Sequence, residues 1–233
     1  MAITFAELKT AARERADMKN SNFVEESELN YYINSSIAEL HDMLIQTYGS
    51  EYYIKDVSFN TVPGQKEYEL NTIMPDQDFY KLRGIDANVN GDEFFTLKRF
   101  NFNERNRFEN FGAWSHLGIT SVRYRIMGSK LILSPMPDNN TEVKVWYIPL
   151  AQKLTNDTDE LNDLNQYAEY VIVDAAIKML NKEESDVSVL MKQKDDLKRR
   201  IEEAAQNRDA GDPESISDIY VENDGYYYGK SRN

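Results

Sequence analysis

The sequence predicts an α+β protein: a four-helix core, with two helices from each end of the chain, an antiparallel β module inserted between them, and an extended C-terminal arm. Three observations carry this. Apolar residues recur at three- and four-residue steps within residues 1–50 and again within 160–208, the spacing of one helix face. Between Glu51 and Leu150 the period drops to two, with turn signals at regular intervals. From Asp209 to Asn233 neither period persists.

The first element, TFAELKTAARERADM, puts Phe5, Leu8, Ala12 and Ala16 on one face behind Thr4, with Glu7 placed to complete a capping box. A longer helix follows in EESELNYYINSSIAELHDMLIQTYG. Leu29, Ile33, Ile37, Leu40 and Leu44 form its stripe, acids crowd its first turn, and Gly49 stops it. In the middle region, Val57, Phe59 and Thr61 alternate with polar residues, and the PGQ at 63–65 predicts a hairpin into KEYEL. Asn90-Gly91 and Gly128-Ser129 predict two more tight turns, and EVKVWYI (142–148) closes the set of strands. NFNERNRFENFGAW (101–114) has no clean period and reads as a short helix and loop. After the polar stretch KLTNDTDELND, LNQYAEYVIVDAAIKMLNKEE is apolar on several faces, as a helix buried among others would be. The last helix, SDVSVLMKQKDDLKRRIEEAAQNR, is capped in this reading by Ser185 and carries a stripe of Val187, Leu190, Leu197, Ile201 and Ala204. Helices near both ends can pack together across the inserted module. Gly211 and Pro213 then end helical structure.

Composition narrows the function. With 41% hydrophobic and 29% charged residues among 233, the chain is of ordinary globular type. No apolar run is long enough for a membrane span, and MAITFAELKTAARERAD lacks a basic-then-apolar leader, so neither an anchor nor an export signal is expected. Zero cysteines exclude disulfides and thiolate-ligated zinc, and the two histidines, His41 and His116, leave little for imidazole chemistry. The net charge of -13 disfavours general binding to a phosphate backbone.

The chemical candidates reduce to ordinary structural readings. DANVNGDEFFTL (86–97) opens like a calcium-binding EF-hand loop, but its twelfth position is Leu97 instead of a bidentate Glu and its flanks alternate as strands, so a hairpin turn is the better reading. His41 has no second ligand at metal spacing and reads as a partly exposed helical histidine. Asp174 and Lys178, four apart, read as a helix ion pair. No glycine-rich phosphate loop, nucleophile elbow or zinc-protease motif is present. Arg123 and Arg125 share a strand face opposite Tyr124, and Lys198, Arg199 and Arg200 lie on the last helix; these are candidates for contact with a neighbouring subunit or with a channel.

Three stretches in order resemble the head-to-tail adaptor (connector, head-completion) proteins of tailed bacteriophages: ELNYYINSSIAELHDMLIQTYGSEYY, LILSPMPDNNTEVKVWYIPLAQKLTND, and QYAEYVIVDAAIKMLNKEESDVSVLMKQKDDLKRRIEEAAQNRDAG. The resemblance lies in the succession of a long helix, a β insertion, a helical hairpin and an arm, and it implies no catalytic site and no cofactor. It implies a virion structural protein: a homo-oligomeric ring, usually of twelve, beneath the portal protein, contacting a tail nozzle or tail tube and fibre proteins, with DNA passing through its lumen without specific binding. The implied portal-binding arm is 209–233, with Ile216, Ile219, Tyr220, Tyr226, Tyr227 and Tyr228 as its apolar anchors. A stopper or tail-tube component is the alternative of the same class, and an acid-catalysed peptidoglycan hydrolase is the alternative from another.

Overall fold

The computed structural model describes residues 2–49, 52–74, 76–88, 93–107, 122–162 and 164–206. The arm, Asn90-Gly91 and His116 lie outside the described residues. The protein is mixed α+β, with five α-helices and two four-stranded sheets among the described residues.

Helix α1 (Phe5–Arg15) begins with the predicted box: the Glu7 amide donates to Thr4 Oγ1 at 3.3 Å, and the Thr4 amide donates to Glu7 Oε2 at 2.8 Å. The strand-like entry to α1 is fixed from the far end of the chain, since the Ile3 amide donates to Asn165 Oδ1 at 2.8 Å and the Phe5 amide to the Asp159 carbonyl at 2.8 Å. Helix α2 (Glu26–Tyr48) buries the full predicted stripe and ends at Gly49, whose φ of 82° suits a residue without a Cβ. Helices α4 (Ala168–Lys182) and α5 (Ser188–Gln206) form the C-terminal pair. A single hydrophobic cluster takes Phe5, Leu8 and Ala12 from α1, the α2 stripe, Val171, Ala175 and Met179 from α4, and Ile201 from α5. Helix α5 is held by less apolar surface than the others: Leu190 and Leu197 are half-buried and Ala204 is exposed, leaving Ile201 as its buried anchor. The expected Ser185 cap is corrected to Asp186, whose carboxylate accepts from the Ser188 amide at 2.9 Å while Ser185 bonds Glu183 instead.

The β region comprises β1 (Lys55–Asn60), β2 (Glu67–Glu69), the one-turn α3 (Leu70–Ile73), β3 (Phe79–Asn88), β4 (Phe94–Thr96), β5 (Lys98–Arg99), β6 (Arg123–Met127), β7 (Lys130–Ser134) and β8 (Glu142–Pro149). One sheet has the order β1-β8-β3-β4 and the other β2-β7-β6-β5. In β8, Val143, Val145 and Tyr147 face the interior while Glu142, Lys144 and Trp146 are half-buried, a clean alternation. With Ile85 and Ala87 of β3 they meet Tyr68, Leu131 and Leu133 of the other sheet in a second cluster.

Two expectations for this region are corrected. The PGQ segment does not turn a hairpin: β1 pairs with β8 and β2 with β7, so residues 61–66 carry the chain from one sheet to the other. The crossing is fixed by the buried Thr61, whose hydroxyl donates to the Asn139 carbonyl at 2.8 Å and accepts from the Thr141 amide at 2.9 Å, and by the Gly64 amide on the Pro137 carbonyl at 2.8 Å. Those long-range partners outweigh the local turn signal. Second, the module is not wholly antiparallel, because β5 and β6 pair in parallel over Lys98↔Arg123 and Arg99↔Tyr124. The Gly128-Ser129 hairpin forms as expected, joining Met127↔Lys130 with Gly128 at φ 60°. The calcium-loop-like segment is strand-flanked, pairing Asp86↔Thr96, and its Asp86 carboxylate accepts from the Thr96 hydroxyl at 2.8 Å and from Trp146 Nε1 at 2.6 Å.

Candidate functional site

Among the described residues no cluster of three or more His, Asp or Glu side chains could hold a metal ion. Among the described residues the most buried ionisable group is Asp174, whose side chain is 3% exposed. Its Oδ1 lies 2.6 Å from Lys194 Nζ on α5 and its Oδ2 2.7 Å from Lys178 Nζ one turn along α4. Glu39 of α2 pairs with both ammoniums, at 2.8 Å and 3.3 Å, and Lys178 also donates to the Ser35 and Ser36 hydroxyls. Burial opposes ionisation of Asp174, but hydrogen bonds from Lys178, Lys194 and Ser36 outweigh it and hold the carboxyl below its ordinary range. The expected pair is therefore a neutral four-charge knot joining three helices, and its groups are engaged with one another instead of facing a substrate.

His41 is a correction. Expected to be partly exposed, it is 5% exposed, stacked on Tyr53 with ring centroids 4.7 Å apart and edge-on to Tyr80 at 6.1 Å. Burial lowers its pKa, with Asp42 pulling the other way, and its Nε2 makes no hydrogen bond. The ring borders a cleft of about 440 Å³ between the helices and the sheets, lined also by Tyr53, Lys55, Asp78, Leu150 and Leu164. Asp78 is already spent there, accepting from Lys55 at 3.2 Å and from the Tyr147 hydroxyl at 2.9 Å, an arrangement in which burial and Asp78 push the phenol up to about 12. Asp76 and Lys153 also line the cleft.

The predicted arginine and lysine candidates separate. Arg123 and Arg125 lie on the outer face of β6, while Tyr124 and Ile126 turn into the sheet cluster, as the alternation implied. Lys198, Arg199 and Arg200 are exposed on α5, where Arg199 pairs with Asp196 at 3.0 Å and Lys198 lies 4.0 Å from Glu202. Arg125 joins a larger constellation, which the sequence reading missed. Its Nη1 donates to the Phe100 carbonyl at 2.9 Å and its guanidinium lies 5.8 Å from the Phe102 ring, with Arg105 4.8 Å from the same ring. The signal was present as the basic and aromatic interleaving of KRFNFNER, but it has no helix or strand period.

No helix among the described residues is long and apolar enough to cross a membrane. No curated protein matches the chain. A family model does, over residues 3–217, which takes in both hydrophobic clusters and both sheets. By that match, and in agreement with the order of long helix, β insertion and helical hairpin, the chain belongs to the SU10 adaptor protein family, of phage head-to-tail adaptor type.

Proposed function

We propose that the protein is a non-enzymatic virion component that assembles as a ring, of about twelve copies by family resemblance, beneath the portal of a DNA-filled capsid and receives the tail below. The observation that carries this reading is the family match over 3–217. In this reading the labour is divided among a four-helix core from residues 1–50 and 160–208, a β module of 51–150 presenting a separate face, and an arm of 209–233. A chain of net charge -13 suits a channel wall, because repulsion lets DNA pass without lodging. Ile216, Ile219, Tyr220 and Tyr226 to Tyr228 supply the arm with apolar anchors for the portal, and tail nozzle, tail tube and fibre proteins are the partners on the far side.

The test is the mass of the complex by light scattering, for the protein alone and with purified portal rings. A defined ring complex that forms with portal, and is lost on truncation before Asp209, supports the reading. A chain that ignores portal rings but binds tail-tube protein would overturn it in favour of a tail component.

A further inference from the structure

The described region contains one cationic, aromatic surface that the adaptor role leaves unassigned. Arg99, Arg105 and Arg125 gather around Phe102, and the carboxylate that shares this surface among the described residues, Glu104, is engaged by Arg107 at 3.1 Å. Among the described residues, Arg99, Arg105 and Arg125 make no ion pair. Phe102 is 50% exposed, and the concavity beside it, about 540 Å³, is lined by Arg99, Asn101, Phe102, Asn103, Glu104 and Arg125. The frame beneath is firm. Phe100 is 2% exposed, its amide donates to the Tyr124 carbonyl at 3.1 Å, and an Asn101–Glu104 capping box closes the turn that displays Phe102. The exposed Arg99 and Arg105 and the half-buried Arg125, flanking an exposed ring in a chain of net charge -13, make a local field opposite to that of the molecule.

The ligand this chemistry selects is an anionic chain with interspersed aromatic groups, and the protein's own sequence contains one. Residues 209–228, DAGDPESISDIYVENDGYYY, hold six acids, four tyrosines and no basic residue. We infer that the Arg99–Phe102–Arg125 surface binds the acidic, tyrosine-rich segment 209–228 of a second copy of this chain. Carboxylates of Asp218, Glu222 and Asp224 satisfy the unpaired guanidiniums through charge-assisted hydrogen bonds, and a tyrosine ring packs on Phe102. Nucleic acid would also suit arginines and an exposed ring, but a phosphate chain meets the repulsion of the whole acidic molecule, whereas a short arm brings only its own charges and is presented at high effective concentration once copies adjoin. The inference depends on the adaptor reading only for having several copies side by side. It gives the arm a resting partner that portal would have to displace.

The experiment uses the full chain without portal, so its failure leaves the portal result untouched. A photo-cross-linking amino acid replaces Phe102, and equal amounts of this protein and an isotopically heavy wild-type chain are mixed at low salt. Expected are light–heavy cross-links from position 102 into 209–228. Arg99→Glu with Arg105→Glu, both at exposed sites, should reduce their yield about tenfold or more, the loss expected for charged hydrogen bonds worth roughly 1.5–3 kcal/mol. Yield should recover when the partner carries Asp218→Arg with Glu222→Arg. Cross-links that are only within one chain, that map outside 209–228, or that survive the charge reversal would overturn the inference, as would cross-links appearing only with added single-stranded DNA.

Discussion

Replacing Asp174 by alanine tests whether the four-charge knot holds α5 in place. The carboxylate is almost fully enclosed and takes two ammoniums at 2.6 and 2.7 Å, so its removal leaves Lys178 and Lys194 facing each other across a cavity. Removing one partner of a buried pair costs about 3–5 kcal/mol. The Lys178 and Lys194 side chains are 21% and 28% exposed and keep Glu39, so water and that carboxylate recover part of the loss. The expected cost is ~2–3 kcal/mol, a fall of about 1 M in urea midpoint for a denaturant slope of roughly 2–3 kcal/mol/M. Hydrogen exchange should quicken most in 188–206, because α5 has Ile201 as its buried apolar anchor while α4 is buried along most of its length. Asp174→Leu should cost less when combined with Lys194→Met, since the pair is then replaced and not broken. Because Asp174 titrates below its ordinary value in the fold, the stability it lends is complete above pH ~4 and is lost as acidity rises through its folded value. A midpoint for Asp174→Ala within ~0.2 M of wild type would refute the reasoning.

Other outcomes follow from the same geometry. His41 resists protonation in the fold, so the wild type should lose stability as pH falls below ~6.5, where the unfolded chain takes up a proton that the folded one excludes; urea midpoints at pH 7 and 5.5 should differ less for His41→Gln. Thr4→Ala removes half of the α1 capping box and should cost ~1 kcal/mol by thermal unfolding. Gly128→Ala meets no neighbouring atom within 4 Å yet must hold φ at 60°, so it should destabilise by ~1 kcal/mol through backbone strain alone, with the far-ultraviolet spectrum unchanged.

What the sequence disclosed depended on the range of the physics involved. The Thr4–Glu7 box, the Leu29 to Leu44 stripe and the Gly49 stop are decided within a few residues, and all three stand. The PGQ crossing is decided by strands β7 and β8, far along the chain, so its local turn signal misleads. His41 looks peripheral on its own helix and is buried by Tyr53 and Tyr80, which lie beyond it. Asp174 was legible as a partner of Lys178, four residues on, but Lys194 and Glu39 come from other helices. The Phe102 surface was hidden for the same reason, since β5 and β6 bring Arg99 and Arg125 together across sequence that has no periodic signal.

The tethering of α1 and α2 to α4 has a consequence for synthesis. Their apolar faces are covered by a helix that begins at Ala168, about 120 residues after α2 ends at Tyr48. At roughly 5–20 residues per second, a ribosome leaves those faces without their partner for about 6–24 s. The β strands can pair within that interval, but the helical layer closes only when the C-terminal pair emerges. Nascent chains released before Ala168 should therefore engage chaperones through Leu29, Ile33 and Ile37, while longer ones complete the helical layer and become competent to meet other copies.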